Sequence, residues 1–223
     1  MRGLNTFTLK MIAIVSMLID HIGHIFFPEV MIFRIIGRIS FPIFAYVLAE
    51  GIYYTKDITK YMLRLGIFAL LSEIPYDLAI MGSVLEFSHQ NVFFTLFFGV
   101  LMFWVYKKID HQGLKTGALV AVFLIGIFVC QYLNTDYCDI GILLIFAFYM
   151  YRDKKVGRLV VAGVLFLGLT GGLQLYALLA LPLIALHNGE QGPKMKSIFY
   201  LFYPAHLLIL YIVHLIVWEI HEL

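Results

Sequence analysis

Asp20, His21 and His24 share one short stretch of an otherwise apolar sequence. Together those residue types can move a proton. A carboxylate beside an imidazole orients the ring and stabilises its cation, which suits the imidazole to general-base work near neutral pH. Arg34 and Arg38 follow, then Glu73 and Asp77. Asp20 and His24, Arg34 and Arg38, and Glu73 and Asp77 are each spaced i,i+4, so each pair projects from one helix face. Pro75, between the two acids, removes a backbone donor and bends the end of its helix inward.

The elements that must position these groups follow from composition. Of 223 residues, 62% are hydrophobic and 13% charged, with a mean hydropathy of +0.91. A soluble domain is about 45–50% apolar and about 25% charged. The balance predicts an integral membrane protein and excludes a disordered chain, a secreted disulfide scaffold and a nucleic-acid-binding module. Runs such as Thr116 to Leu133 and Phe199 to Trp218 do not alternate as barrel strands do. They read as helices, and a span takes about 20 residues. Spans are predicted near 9–27, 31–53, 58–80, 91–106, 116–133, 139–151, 157–169, 173–187 and 199–219. The fold class is therefore all-α: a polytopic bundle of about nine transmembrane helices, taken as one domain over residues 1–223. The first span is too long and too polar for a signal peptide, and no small-residue cleavage site follows it.

Charge orients the bundle. Arg2 and Lys10 precede span one, and Lys56 and Lys60 separate spans two and three. Lys107, Lys108 and Lys115 join four to five; Arg152, Lys154, Lys155 and Arg158 join six to seven; Lys194 and Lys196 join eight to nine. Thirteen of the 16 Lys and Arg thus lie on alternate loops, and the opposite loops carry none. The positive-inside rule then puts the N-terminus in the cytoplasm and, after nine spans, the C-terminus outside. Arg34, Arg38 and Arg64 remain within spans.

On this topology Asp20, His21, His24, Arg34, Arg38, Glu73, Asp77, His89, Asn91, Asp136, Asp139 and Gln174 converge on the extracytoplasmic third. Intramembrane charges are costly, usually paired and usually functional. An ion network of acids and arginines that only holds the fold is the simpler reading. It leaves the histidines unexplained. Lys10 and His21 form a second constellation: eleven positions, about three helical turns, set them on one face about 16 Å apart. That axis suits an elongated ligand with an anionic cytoplasmic head and a reactive end in the outer half, as in acyl-coenzyme A.

The run from Lys10 to Asp20-His21-Ile22-Gly23-His24, followed by Gly37-Arg38-Ile39-Ser40-Phe41-Pro42-Ile43-Phe44 and Glu50-Gly51, resembles the TraX family. So do Ser72-Glu73-Ile74-Pro75-Tyr76-Asp77, Asn91-Val92-Phe93-Phe94-Thr95-Leu96 with Gly99, and Tyr203-Pro204-Ala205-His206-Leu207. The resemblance covers nearly the whole chain. It implies a membrane acetyltransferase, since the family's namesake is implicated in N-terminal acetylation of conjugative pilin at the cytoplasmic membrane. The spacing of Lys10 and His21 is also similar to that in bacterial polysaccharide O-acyltransferases and the lysosomal heparan-α-glucosaminide N-acetyltransferase. There the first-helix histidine is catalytic and acetyl-CoA arrives from the cytoplasm. The position carried over is His21, with Lys10 where those groups have Arg or Asn. A lysine cannot hold an anion bidentately as arginine does.

The expected enzyme is an acyl-CoA-dependent N- or O-acetyltransferase. His21 is the general base, oriented by Asp20 or another nearby acid, and Arg38 or Arg34 stabilises the oxyanion. A transient acetyl-His21 is the variant. Lys10, Arg34 and His206 are assigned to the acyl donor. His24, Glu73, Asp77 and Asn91 are assigned to the polar chamber that takes the acceptor. Acetyl-CoA is the co-substrate. The acceptor is a pilin-like peptide N-terminus or a surface glycan, the surroundings are the lipid bilayer, and a homodimer is compatible with the wider superfamily. No metal is expected, because no HExxH or CxxC is present. Two rivals stand beside the enzyme. One is a proton-coupled transporter, which would also bury acids and histidines, although no inverted repeat is visible. The other is a non-catalytic membrane assembly factor. His214 is read as structural, His187 and His221 as surface residues, and Cys130 and Cys138 as free thiols.

Overall fold

In the computed structural model the described residues are 3–109 and 112–222. Arg2 lies outside them, and the side chains of Lys115, Lys196, Trp218 and His221 are likewise outside the description. The described residues are helical, with no strand beyond the isolated bridges Leu4–His187 and Gln90–Thr135. In chain order the helices are α1 (Thr6–Phe26), α2 (Met31–Gly37), α3 (Ser40–Tyr54), α4 (Ile58–Tyr76), α5 (Val92–Lys108), α6 (Gln112–Tyr132), α7 (Cys138–Met150), α8 (Lys155–Leu169), α9 (Ala180–Ala185) and α10 (Lys196–Glu222). A π-helical turn (Asp77–Met81) continues α4, and a 3₁₀ segment (Gly172–Leu179) leads into α9.

Three stretches are long and apolar enough to cross a membrane, Thr6–Phe26, Met31–Tyr54 and Ser197–Val217. The predicted second span is broken into α2 and α3 after Gly37, and the predicted eighth is mostly 3₁₀. Elsewhere the outward faces are apolar in a way a water-soluble protein avoids. On α8, Val156, Val160, Val164 and Leu167 form one exposed stripe, and Leu63, Ile67, Leu70, Leu71 and Ile74 do the same on α4.

Local chemistry accounts for the breaks. Pro75 lies inside α4, and the helix passes directly into the π turn. That turn ends at Gly82, whose φ of 69° favours a residue without Cβ. Gly172, at φ 55°, opens the 3₁₀ segment in the same way.

The chain forms two compact units: one comprises residues up to Phe44, Leu71–Glu86 and Phe166 onward, the other Ala45–Leu70 and Phe87–Leu165. In the first, α1 packs on α2 and α10, and the π turn also packs on α10. Leu9, Ala13, Ala177, Ala180, Ile184 and Leu207 are fully buried there. In the second, α5, α6 and α7 pack together around Met102, Cys130 and Ile142. Both cysteines are free thiols.

Asp57 shows how an exposed loop residue starts a helix. Its carboxylate accepts the Lys60 N–H at 2.9 Å and its carbonyl the Tyr61 N–H at 3.2 Å. The Lys60 N–H bond holds the Asp57 carboxyl below its usual range. A depressed folded-state value adds stability above the unfolded value, near about pH 4, and loses it as pH falls through the folded value. Asp57→Ala therefore melts below wild type at neutral pH, and the gap closes on acidification below about pH 4. Paired thermal melts across that range check it.

Candidate functional site

Asp20 and His21 are consecutive on α1, so their side chains leave the helix about 100° apart. Asp20 turns toward α2. Arg34 Nη1 donates to its Oδ2 at 2.9 Å, and Arg38 Nη2 donates to Oδ1 and Oδ2 at 3.1 and 3.2 Å. Arg38 also donates from Nη1 to Gln174 Oε1 at 3.1 Å and from Nε to the Arg34 carbonyl at 3.3 Å. Asp20 is 8% exposed, so the pairing is largely desolvated. Gly37 makes the approach possible, because a Cβ there would lie 2.1 Å from Asp20 Oδ1.

His21 turns toward α10. Its Nδ1 lies 2.7 Å from His206 Nε2, and His206 Nδ1 lies 2.7 Å from the Phe202 carbonyl oxygen. A carbonyl only accepts, so His206 carries its proton on Nδ1 and a lone pair on Nε2. That lone pair accepts the His21 Nδ1–H. His21 Nε2 then carries the free lone pair. The two imidazole planes are nearly parallel, 14° apart, with centroids 5.0 Å apart across the hydrogen bond; Phe202 stacks on His206 at 4.6 Å, and Tyr203 meets both rings edge-on.

Asp20, expected from the sequence beside another nearby acid as the orienter of His21, bonds Arg34 and Arg38, and the side chain that bonds His21 is His206. His206, assigned from the sequence to the acyl donor, is bonded to His21. Sequence reasoning assigns Phe202 and Tyr203 no role. The signal is present nonetheless: Phe199, Phe202, Tyr203 and His206 fall at i, i+3, i+4 and i+7, one face of α10.

At the other end of the α1–α10 seam, Lys10 Nζ stands over the Phe199 ring at 5.1 Å. The first turn of α1 is closed. Thr6 and Phe7 N–H donate to the Glu190 and Gln191 carbonyls at 2.8 and 3.1 Å, Thr8 N–H to Asn5 Oδ1 at 2.8 Å, and Leu9 N–H to the Asn5 carbonyl at 3.1 Å. No open N–H remains there for a phosphate, so any anion beside Lys10 depends on the ammonium itself. His187, expected on the surface, is buried in this closure and bonds Thr6 Oγ1 through Nε2 at 3.1 Å. His214 packs edge-on against Phe26 at 5.9 Å.

The remaining chamber residues part company. His24 is exposed on α1, and Glu73 is half-buried on α4. Asp77 is buried; Oδ2 accepts the Glu86 N–H at 2.8 Å, and Oδ1 has no hydrogen-bond partner. Asn91 belongs to the second unit, where it caps α5 by accepting the Phe93 N–H at 3.0 Å and donates to the Ala69 carbonyl at 2.8 Å. Asparagine is a preferred helix cap, so an Asn directly before an apolar helix is explained by that role. Among the described residues no group of three or more His, Cys, Asp or Glu is placed to hold a metal.

The family model described as TraX protein matches residues 6–214, nearly the whole chain. The chain belongs to the TraX family. Among its relatives, a probable fimbrial assembly protein FimC (serogroup H1) of Dichelobacter nodosus is 27% identical over 92% of this chain and 94% of its own length. An uncharacterized protein of Rickettsia prowazekii (strain Madrid E) is 25% identical over 66% of this chain and 56% of its own length. No solved structure matches.

Asp20→Ala strands two guanidinium groups and costs about 3–5 kcal/mol of stability. Gly37→Ala drives a methyl into the same carboxylate and costs about 1–3 kcal/mol. The double variant loses less than the sum, because removing the carboxylate relieves the Oδ1 and Cγ clashes with the added methyl and leaves only that with the residue-20 Cβ, 2.2 Å away. Unfolding titrations of the four proteins in mixed micelles measure the coupling, and strict additivity would contradict the contact.

Proposed function

We propose that this TraX family member is a transmembrane acetyltransferase. It moves an acetyl group from cytoplasmic acetyl-CoA to an amine or hydroxyl at the outer face of the cytoplasmic membrane. The observation that carries the reading is the hydrogen-bonded series Phe202 carbonyl, His206, His21, which leaves His21 Nε2 as a base of defined tautomer. Nε2 takes the proton of the acceptor N–H or O–H as the acceptor attacks the thioester carbonyl. The resulting imidazolium shares its charge with His206 through the Nδ1–Nε2 bond, and the Phe202 carbonyl stabilises the far end. Collapse of the tetrahedral intermediate breaks the C–S bond, and the His21 proton goes to the departing thiolate.

Arg34 is the better oxyanion donor of the two arginines. It gives Asp20 only Nη1 and is 24% exposed, whereas Arg38 commits Nε, Nη1 and Nη2 to Arg34, Gln174 and Asp20. His206 is a positioning residue, since it acts through His21. Lys10 is the cytoplasmic anchor for the donor's anionic end.

The nine-span topology with a cytoplasmic N-terminus belongs to the same proposal. In support, α1 and α10 run parallel: Lys10 lies beside Phe199, His21 beside His206, and Phe26 beside His214. Parallel first and last spans require an odd number of crossings. The fimbrial relative favours a pilin-like peptide amine as the acceptor over a surface glycan.

Purified protein incubated with radiolabelled acetyl-CoA transfers label to a pilin-like N-terminal peptide. His21→Ala abolishes transfer with the helical signal retained. His206→Ala lowers kcat about a hundredfold, alters the pH profile, and leaves the donor KM unchanged. Full transfer by His21→Ala, or uptake of a solute without any acetylation, overturns the reading.

A further inference from the structure

The second unit holds a group of cations that acyl transfer does not use. Arg158, near the start of α8, is 7% exposed. Its guanidinium lies 4.8 Å from the centroid of the Tyr46 ring, and Nη1 donates to the Arg152 carbonyl at 3.2 Å. Arg152 stands 4.0 Å from the Tyr53 ring and 5.3 Å from that of Tyr149, and donates to the Tyr149 carbonyl at 3.3 Å. Its ion-pair partner at 3.3 Å is Asp153, which is 78% exposed and therefore well screened. Lys107 lies within electrostatic range of Arg152 and donates to the Ile52 carbonyl at 2.7 Å.

The charges in this cluster do not balance. Glu50, half-buried, is within range of both guanidinium groups, yet no ion pair joins it to either among the described residues. Both arginine Nε atoms are buried and have no hydrogen-bond partner. A buried donor on a cation is costly to leave open, and native folds rarely do so without a ligand or water to accept it. Two planar forks on tyrosine rings, with an ammonium in electrostatic range of one of them, match an oxygen-rich dianion or diester better than a single carboxylate.

We propose that Arg152, Arg158 and Lys107 form a phosphate-binding site walled by Tyr46, Tyr53 and Tyr149, which takes the phosphate ester of either a phospholipid headgroup or a soluble molecule. All three cations stand on segments with the chain's basic excess, where anionic headgroups are met at a membrane surface. The site is independent of His21 and stands whether or not the chain transfers acetyl groups.

The full chain in neutral detergent is titrated with phosphatidylglycerol, with diacylglycerol as the phosphate-free lipid, and separately with adenosine 3′,5′-bisphosphate and inorganic phosphate. Binding is followed by native mass spectrometry and thermal shift. At least one phosphate probe binds wild type. Arg152→Gln weakens it tenfold or more, Arg152→Lys less, and Lys194→Gln on another basic loop leaves it unchanged. Binding of phosphatidylglycerol alone assigns the site to a headgroup, and binding of the soluble probes assigns it to a soluble ester. Arg158→Gln, the more buried change, is expected to weaken binding further; where it does not fold, Arg152→Gln, at a half-buried position, decides. Binding no stronger than diacylglycerol, or equal in wild type and Arg152→Gln, overturns the proposal.

Discussion

Two neighbouring polar residues on one apolar helix govern the first unit. Asp20 and His21 diverge by about 100° around α1, so no single partner can serve both. The carboxylate needs close cations on one flank, and α2 brings them with Arg34 and Arg38. The imidazole is left for the other flank, and α10 meets it there with His206. The close approach on the carboxylate side depends on small residues: Gly37 lies against Asp20, and a Cβ on Gly23 would lie 2.2 Å from that of Phe33. The ion network and the histidine pair are therefore two satisfactions of one helix, and neither substitutes for the other.

The ionic half was legible in the sequence. The i,i+4 spacing of Arg34 and Arg38 and the nearness of α1 and α2 along the chain make their meeting with Asp20 a local event. The histidine pair was not, because His21 and His206 are 185 positions apart and periodicity does not say which helix packs on which. Aromatics at heptad-like spacing marked one face of α10 as special without naming its partner. Asn91 was placed by depth alone, and depth does not separate a chamber residue from a helix cap. His187 misled for a related reason. It sits in a loop by hydropathy, yet that loop returns to bond the start of α1 and is buried in doing so.

The basic residues divide by surroundings more than by number. Arg34 and Arg38 face a buried carboxylate and are matched within the fold. Arg152 and Arg158 lie on tyrosine rings, with their nearest well-formed ion pair out in solvent. The same side chain thus closes a network in one unit and leaves donors unfilled in the other. Net charge, at +2 for the whole chain, records neither situation.

The parallel seam between α1 and α10 also has a history in time. Translation delivers α1 first and α10 last, so through most of synthesis His21 has no His206 to meet. The Asp20–Arg34–Arg38 cluster can form as soon as α2 is made, long before the final helix enters. A nascent chain stalled after α2 but before residue 206 thus already holds its buried carboxylate paired but has no His206 for His21 to bond. Docking of α10 on α1 is then a late step, and the His21–His206 pair forms only with it.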